Sequence, residues 1–274
     1  MKMKTVLITG ASGGMGAASA RRLLSEGYAV WGLDRREPGE IPGLKFLPVD
    51  LTRPEQIDAA VRRLSEEKIR FDAVVHMAGI YDLGSLAELP DERWERIFAV
   101  NLTAVYRLSR ELLPLLGEHA RIVITSSELA PLDPLPFTGL YGITKAALEK
   151  YAFSLRMELQ LLGHEVVVLR PGAVDTGLLP QSTAALERFC VETKRYPGGS
   201  GRMRRIVERV ETRSVSPERI AALLSRILSA RRPRLVYTVN RNPMLLLLNA
   251  LPDRIQLALI RALLTGGRQN KEES

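Results

Sequence analysis

The chain has 274 residues, 46% hydrophobic and 26% charged, with 39 Lys+Arg against 31 Asp+Glu and a formal net charge of +8. This balance excludes dominant disorder, and a chain of this length can bury a sizeable core without staples. The single cysteine, Cys190, excludes an intramolecular disulfide, and no Cys/His cluster has zinc spacing, so no metal is expected.

Short β-rich runs alternate with stretches of helical period. Strands are predicted over 5–9, 28–33, 44–49, 73–76, 121–125, 165–169 and 235–239, and helices over 14–26, 54–67, 91–116, 141–163 and 217–230. The last helix has Ser216 as N-cap, Pro217 at its first position and Glu218 in its first turn. Apolar strands alternating with helices predict a parallel sheet covered on both faces. With no repeat and no linker, residues 1–274 read as one α/β domain, a three-layer doubly wound Rossmann fold. Val6-Leu7-Ile8 is too short for a signal-peptide core, and no window approaches 18 uncharged apolar residues. A cytoplasmic protein is expected.

The charge is local. Residues 194–234 hold 12 Lys/Arg against three Asp/Glu, a net of +9, so the rest of the chain is near neutral. No nucleic-acid recognition motif accompanies this segment, and nucleic acid is not the expected partner. Three readings stay open: steering of an anionic substrate, a solvated face, or peripheral contact of 194–234 with an anionic membrane, aided by the apolar 243–264 tail.

The first strand runs into Gly10-Ala11-Ser12-Gly13-Gly14-Met15-Gly16 and then a helix. Glycines at 10, 14 and 16 permit a tight turn and close approach of a pyrophosphate to a helix N-terminus. Asp34 ends the second strand 18 residues after Gly16, near the offset of an acid that binds the adenine ribose. It favours NAD over NADP, although Arg35 and Arg36 offer a 2′-phosphate clamp. Tyr141 and Lys145 lie four apart on one helical face, where an ammonium would lower the phenol's pKa and suit it to proton transfer.

With Asp50-Leu51, Asn101, Ser127 and Pro171-Gly172 in the same order, the sequence resembles the short-chain dehydrogenase/reductase family in its single-domain branch, from about Thr5 to Val239. The resemblance implies that Tyr141 exchanges a proton with the substrate and that Lys145 tunes it and holds the nicotinamide ribose. It further implies that Ser127 bonds the substrate oxygen and Asn101 supports a relay water. Cofactor contacts are implied for Gly10, Ser12, Gly14, Met15, Gly16, Asp34, Arg35, Asp50, Leu51, Ala78, Gly79, Asn101, Tyr141, Lys145, Pro171, Gly172, Val174 and Thr176. Two departures stand out: His76-Met77 replaces the family's usual Asn-Asn, and Ser127 precedes Tyr141 by 14 residues, one more than usual. Homodimers or homotetramers are usual in the family.

Residues 177–215 read as a substrate lid with a hinge at Pro197-Gly198-Gly199-Ser200-Gly201, and their apolar residues suggest a lipophilic substrate. The expected function is hydride transfer between NAD(H) and a steroid-, retinoid- or fatty-acyl-like alcohol or ketone. An NADP(H)-dependent carbonyl reductase is the alternative within that chemistry. A catalytically silent dinucleotide sensor or scaffold is the alternative outside it, and a lyase fits the glycine turn poorly. Cys190 and Glu128 are expected to be a buried small hydrophobe and either a pocket or a loop acid.

Overall fold

The computed structural model describes residues 3–176, 179–211 and 214–265. Seven parallel strands form one sheet in the order β3-β2-β1-β4-β5-β6-β7. They are β1 (Thr5–Thr9), β2 (Ala29–Asp34), β3 (Lys45–Pro48), β4 (Phe71–His76), β5 (Leu116–Thr125), β6 (Glu165–Pro171) and β7 (Val236–Val239). The strand order reverses between β1 and β4, whose ends meet at Thr9 and His76. A crevice opens at such a reversal, beyond the carboxyl ends of the strands.

Both sheet faces are covered, which follows from strands that are apolar on both sides. In β1, Leu7 faces one core while Val6 and Ile8 face the other; in β6, Val166 and Val168 oppose Val167 and Leu169. Helices α2 (Pro54–Glu66), α4 (Ala104–Glu111) and α5 (Gly139–Leu159) close the first face with Ile57, Leu108 and Leu148. Helices α1 (Gly14–Ser25) and α8 (Pro217–Ser229) close the second with Leu23, Ile220 and Leu224.

The structure corrects several boundaries. The helix predicted over 91–116 is broken into α3 (Asp91–Phe98), a π-helical turn at Ala99–Thr103, α4 and a short 3-10 turn at Leu113–Leu115. The π turn widens the helix and carries Asn101 inward, fully buried. Strand β5 begins at Leu116, five residues before the predicted start, with an irregular register between Phe71 and Ala73 of its partner.

The 177–215 stretch holds α6 (Leu179–Glu192) and α7 (Pro197–Glu211); residues 177–178 and 212–213 lie outside the described residues. The expected hinge is the first turn of α7: Pro197 fits a helix start, and Ser200 is buried there. The bend between the two helices falls at 193–196. Glu88 holds it, accepting from the Thr193 hydroxyl at 2.7 Å and from the Lys194 and Arg195 amides at 3.0 and 2.9 Å. Asp82 ties α6 down, bound by Arg188 at 2.5 Å and by Arg93 at 2.6 and 2.9 Å.

The 243–264 tail is likewise structured, as α9 (Pro243–Asn249) and α10 (Asp253–Thr265). The basic segment is not one patch. Arg202 and Arg205 ride on α7, whereas Arg226, Arg231, Arg232 and Arg234 lie before β7, at the amino-terminal edge of the sheet and away from the crevice. Cys190 is half-buried, not buried.

Candidate active site

The glycine turn is built by close contact. Gly10 adopts φ +74°, and a Cβ on it would stand 2.7 Å from the Ala78 amide nitrogen. A Cβ on Gly16 would stand 2.0 Å from the Gly10 carbonyl oxygen, so neither position accepts a side chain. No side chain caps the N-terminus of α1 at Gly13, which leaves its first amides free for an anion.

At the end of β2, the Asp34 carboxylate accepts from the amides of Ser12 at 3.1 Å and Arg36 at 3.2 Å. This fixes an acid where ribose hydroxyls of a dinucleotide would arrive. Ser12 also gives its hydroxyl to the Arg36 carbonyl, so it pins the turn with both polar groups. The Thr52 hydroxyl and amide bond Asp50. Although burial pushes its carboxyl up, these bonds and the charges of Arg35 and Arg53 hold it below the usual range. Leu51 packs on the core, and Ala78 donates to the Thr9 hydroxyl at 3.2 Å. Across the crevice, Thr176 closes on Gly14, where a Cβ would lie 3.0 Å from the threonine side chain. Pro171, Gly172 and Val174 line the same cavity as Met15, Gly79, Tyr141 and Lys145. Uncapped α1 amides, an acid held at the β2 end and a cavity that reaches Met15 and Thr176 fit a dinucleotide.

At the inner end of the cavity, α5 and the segment after β5 bring Tyr141, Lys145 and Ser127 together. Ser127 and Tyr141 line the same wall of the cavity, and the Ser127 hydroxyl accepts from the Leu129 amide at 3.2 Å. Ser126 turns toward the Lys145 carbonyl at 3.5 Å, which leaves Ser127 as the hydroxyl facing the phenol. Lys145 Nζ lies 5.6 Å from the Tyr141 ring centroid and donates to the Thr125 carbonyl at 3.0 Å. Tyr81 meets the Tyr141 ring edge-on, with centroids 4.8 Å apart.

The electrostatics correct one expectation. Burial pushes the Tyr141 phenol up to about 12, offset only in part by the Ser127 side chain beside it. Burial also pushes the Lys145 ammonium down to about 8, against the pull of Glu149. Without a ligand, desolvation outweighs the help that Lys145 was expected to give Tyr141. The Asn101 side-chain carbonyl accepts from the Ile80 amide at 2.8 Å, and its amide donates to the Ile80 carbonyl at 3.0 Å and to Thr144 at 3.1 Å. The side chain thus staples the 78–81 loop to α5. His76 is buried and neutral, pushed down to about 4 by burial, with Nε2 at 3.1 Å from the Ser109 hydroxyl.

Sequence reasoning missed part of the wall. Leu245 and Asn249 of the apolar tail line the cavity, as do Tyr81, Leu132 and Met203. The apolar tail was visible as a run of leucines, but nothing in the run says that it folds back over the crevice. Glu128 is a pocket acid, buried at 8% exposure.

Comparison with known proteins agrees with this geometry. The model of the short chain dehydrogenase family matches residues 4–187. A 3-ketodihydrosphingosine reductase of Bacteroides thetaiotaomicron is 26% identical over 234 residues, covering 85% of this chain and 86% of the relative. Estradiol 17-beta-dehydrogenase 2 of Mus musculus is 34% identical over 188 residues, 64% of this chain; the match spans about half, 49%, of that protein. Among solved structures, a 3-ketoacyl-(acyl-carrier-protein) reductase from Brucella melitensis with NADH superposes at TM-score 0.69 and 24% identity, covering 86% of this chain and 96% of the other. A short chain dehydrogenase from Burkholderia cenocepacia with NADP gives 0.68 and 26%, with coverage of 86% and 96%. The chain belongs to the short-chain dehydrogenase family. It is an NAD(P)-dependent oxidoreductase acting on CH–OH or carbonyl groups.

Proposed function

We propose that this enzyme transfers a hydride between NAD(H) and a lipophilic alcohol or ketone, with Ser127, Tyr141 and Lys145 at the reacting group. The observation that carries this reading is the gathering of Ser127, Tyr141 and the buried Lys145 on one wall of a largely apolar cavity next to the glycine turn. When bound, NAD(H) supplies or accepts the hydride. In the reducing direction, Ser127 donates a hydrogen bond to the substrate carbonyl oxygen and Tyr141 delivers the proton to it. Lys145 keeps positive charge beside the phenol, and Asn101 holds the 78–81 wall against α5. Ile80, Leu129, Leu132, Met203 and Leu245 exclude water and favour a lipophilic chain. Relatives named for a ketodihydrosphingosine and for estradiol support that class. The segment 177–215 acts as the lid, latched by Asp82 and Glu88.

Asp34 supports NAD over NADP. The isosteric Asp34→Asn keeps an acceptor for the Ser12 amide but removes the charge that repels a 2′-phosphate. It is expected to lower KM for NADPH by about tenfold, with Arg35 and Arg36 then unopposed. Steady-state kinetics with NADH and NADPH on a panel of lipophilic ketones tests this together with the reaction. A wild type that prefers NADPH would contradict the assignment to NAD.

Exposed Tyr106, Phe153 and Met157 on α4 and α5 support self-association into a dimer or tetramer. No described helix is long and apolar enough to cross a membrane. The exposed Met244, Leu247, Leu257 and Leu263 of α9 and α10, next to exposed Arg254 and Arg261, support peripheral contact with an anionic bilayer at the cavity mouth. Co-sedimentation with anionic vesicles is expected to fall about tenfold in a Leu247→Asp/Leu257→Asp double variant. Equal sedimentation of both proteins would contradict membrane contact.

A further inference from the structure

Rotation of Tyr141 about its Cα–Cβ bond sweeps the phenol oxygen through the cavity, so the place of that oxygen depends on what stops the ring. Lys145 Nζ lies 5.6 Å from the ring centroid and is itself tied to the Thr125 carbonyl. Tyr81 meets the ring edge-on, with centroids 4.8 Å apart and the two planes at 60°. Edge-to-face contact sets the tilt of a ring as well as its distance.

Tyr81 is in turn gripped on both sides along the chain. Before it, Asn101 pins Ile80 through its amide at 2.8 Å and its carbonyl at 3.0 Å. After it, the Asp82 carboxylate is bound by Arg93 of α3 at 2.6 and 2.9 Å and by Arg188 of α6 at 2.5 Å. The Tyr81 side chain packs against the buried cluster of Leu83, Ala185, Leu186 and Met203, which draws α6 and α7 onto this loop. The ring edge offered to Tyr141 is thus a braced stop.

We propose that Tyr81 is a positioning residue, which holds the Tyr141 ring in the orientation from which its phenol reaches the substrate oxygen, and that Asp82 is the brace through which α3 and α6 fix Tyr81. The proposal rests on the hydride-transfer reading above and adds to it a residue that acts through Tyr141.

Single-turnover rates with saturating NADH and a lipophilic ketone test it. Tyr81→Leu keeps an apolar side chain against Leu186 and Met203 but has no ring edge. It is expected to slow the reaction about tenfold while NADH affinity changes less than about twofold. Tyr81→Phe, which keeps the edge, is expected to restore the rate. In a Tyr141→Phe background, Tyr81→Leu is expected to cost less than about twofold, because a residue that acts through the phenol has nothing left to act on. A tenfold loss in both backgrounds, no loss in either, or an equal loss in Tyr81→Phe overturns the proposal and leaves Tyr81 as cavity wall.

Should the wild type reduce no ketone, the hydride-transfer reading fails on its own, and fluorine NMR of protein labelled with fluorotyrosine decides. The Tyr141 resonance is identified by its absence from Tyr141→Phe. Asp82→Asn is expected to shift that resonance in the protein that carries Tyr81 and to leave it in place in a Tyr81→Leu background. A resonance indifferent to Asp82→Asn, or displaced equally in both backgrounds, overturns the role of Tyr81.

Discussion

Tyr141→Phe is expected to lower kcat/KM by about a thousandfold while leaving the fold and cofactor affinity in place. The substitution keeps the ring that packs edge-on against Tyr81 and removes only the hydroxyl. Ser127 retains the Leu129 amide as a partner, so the stability change is about 1 kcal/mol or less. Turnover within about threefold of wild type would place the proton donor elsewhere. Equal loss in Ser127→Ala would show the two hydroxyls acting as a unit.

Lys145→Met is expected to abolish turnover yet stabilise the ligand-free protein near neutral pH. The folded state holds Lys145 down to about 8 from an ordinary 10.5, through burial. The unfolded chain therefore binds the proton more tightly than the folded one. The destabilisation is complete below pH 8, shrinks as pH rises from 8 toward 10.5, and is gone above. Removing the ammonium relieves roughly 3 kcal/mol of this kind, while the Thr125 carbonyl loses its donor at a cost of about 1–2 kcal/mol. A net gain of roughly 1–2 kcal/mol is expected at pH 7, vanishing or reversing by pH 10.5. Denaturant melts of both proteins at the two pH values measure it. A variant less stable than wild type at pH 7 would mean that the ammonium is a net stabiliser, held by more than its bond to Thr125. The pairing of a destabilising charge with the reacting phenol is what a site built for chemistry over stability looks like.

The sheet and its crevice were legible in the sequence because they depend on local signals. Val6 and Ile8 opposite Leu7 alternate with a period of two, and the glycines at 10 and 16 occupy positions where no other residue fits. Asp34 closes β2, and Tyr141 and Lys145 share one face of α5, so their places too follow from local signals. What was not legible depends on long-range contact. Asn101 carries its side chain to Ile80 only because a π turn interrupts the helix, and hydrophobic period does not announce such a turn. The stretch read as a hinge, 197–201, instead forms the first turn of α7, where Pro197 suits a helix start and Ser200 is buried. The effect of Lys145 on Tyr141 was read from charge alone, and burial, invisible in sequence, overrode it. Charge summed along 194–234 suggested a single patch, but the sheet divides the segment between its two ends.

The central claim is that this pocket moves a hydride to a lipophilic carbonyl with Tyr141 as the proton donor. Single-turnover reaction of a lipophilic ketone with NADH deuterated at the transferable position, followed by mass spectrometry, tests it most directly. The account predicts deuterium on the carbinol carbon with wild type, and formation of that product slowed about a thousandfold by Tyr141→Phe. Unlabelled alcohol, or labelled alcohol formed equally fast by both proteins, would contradict it.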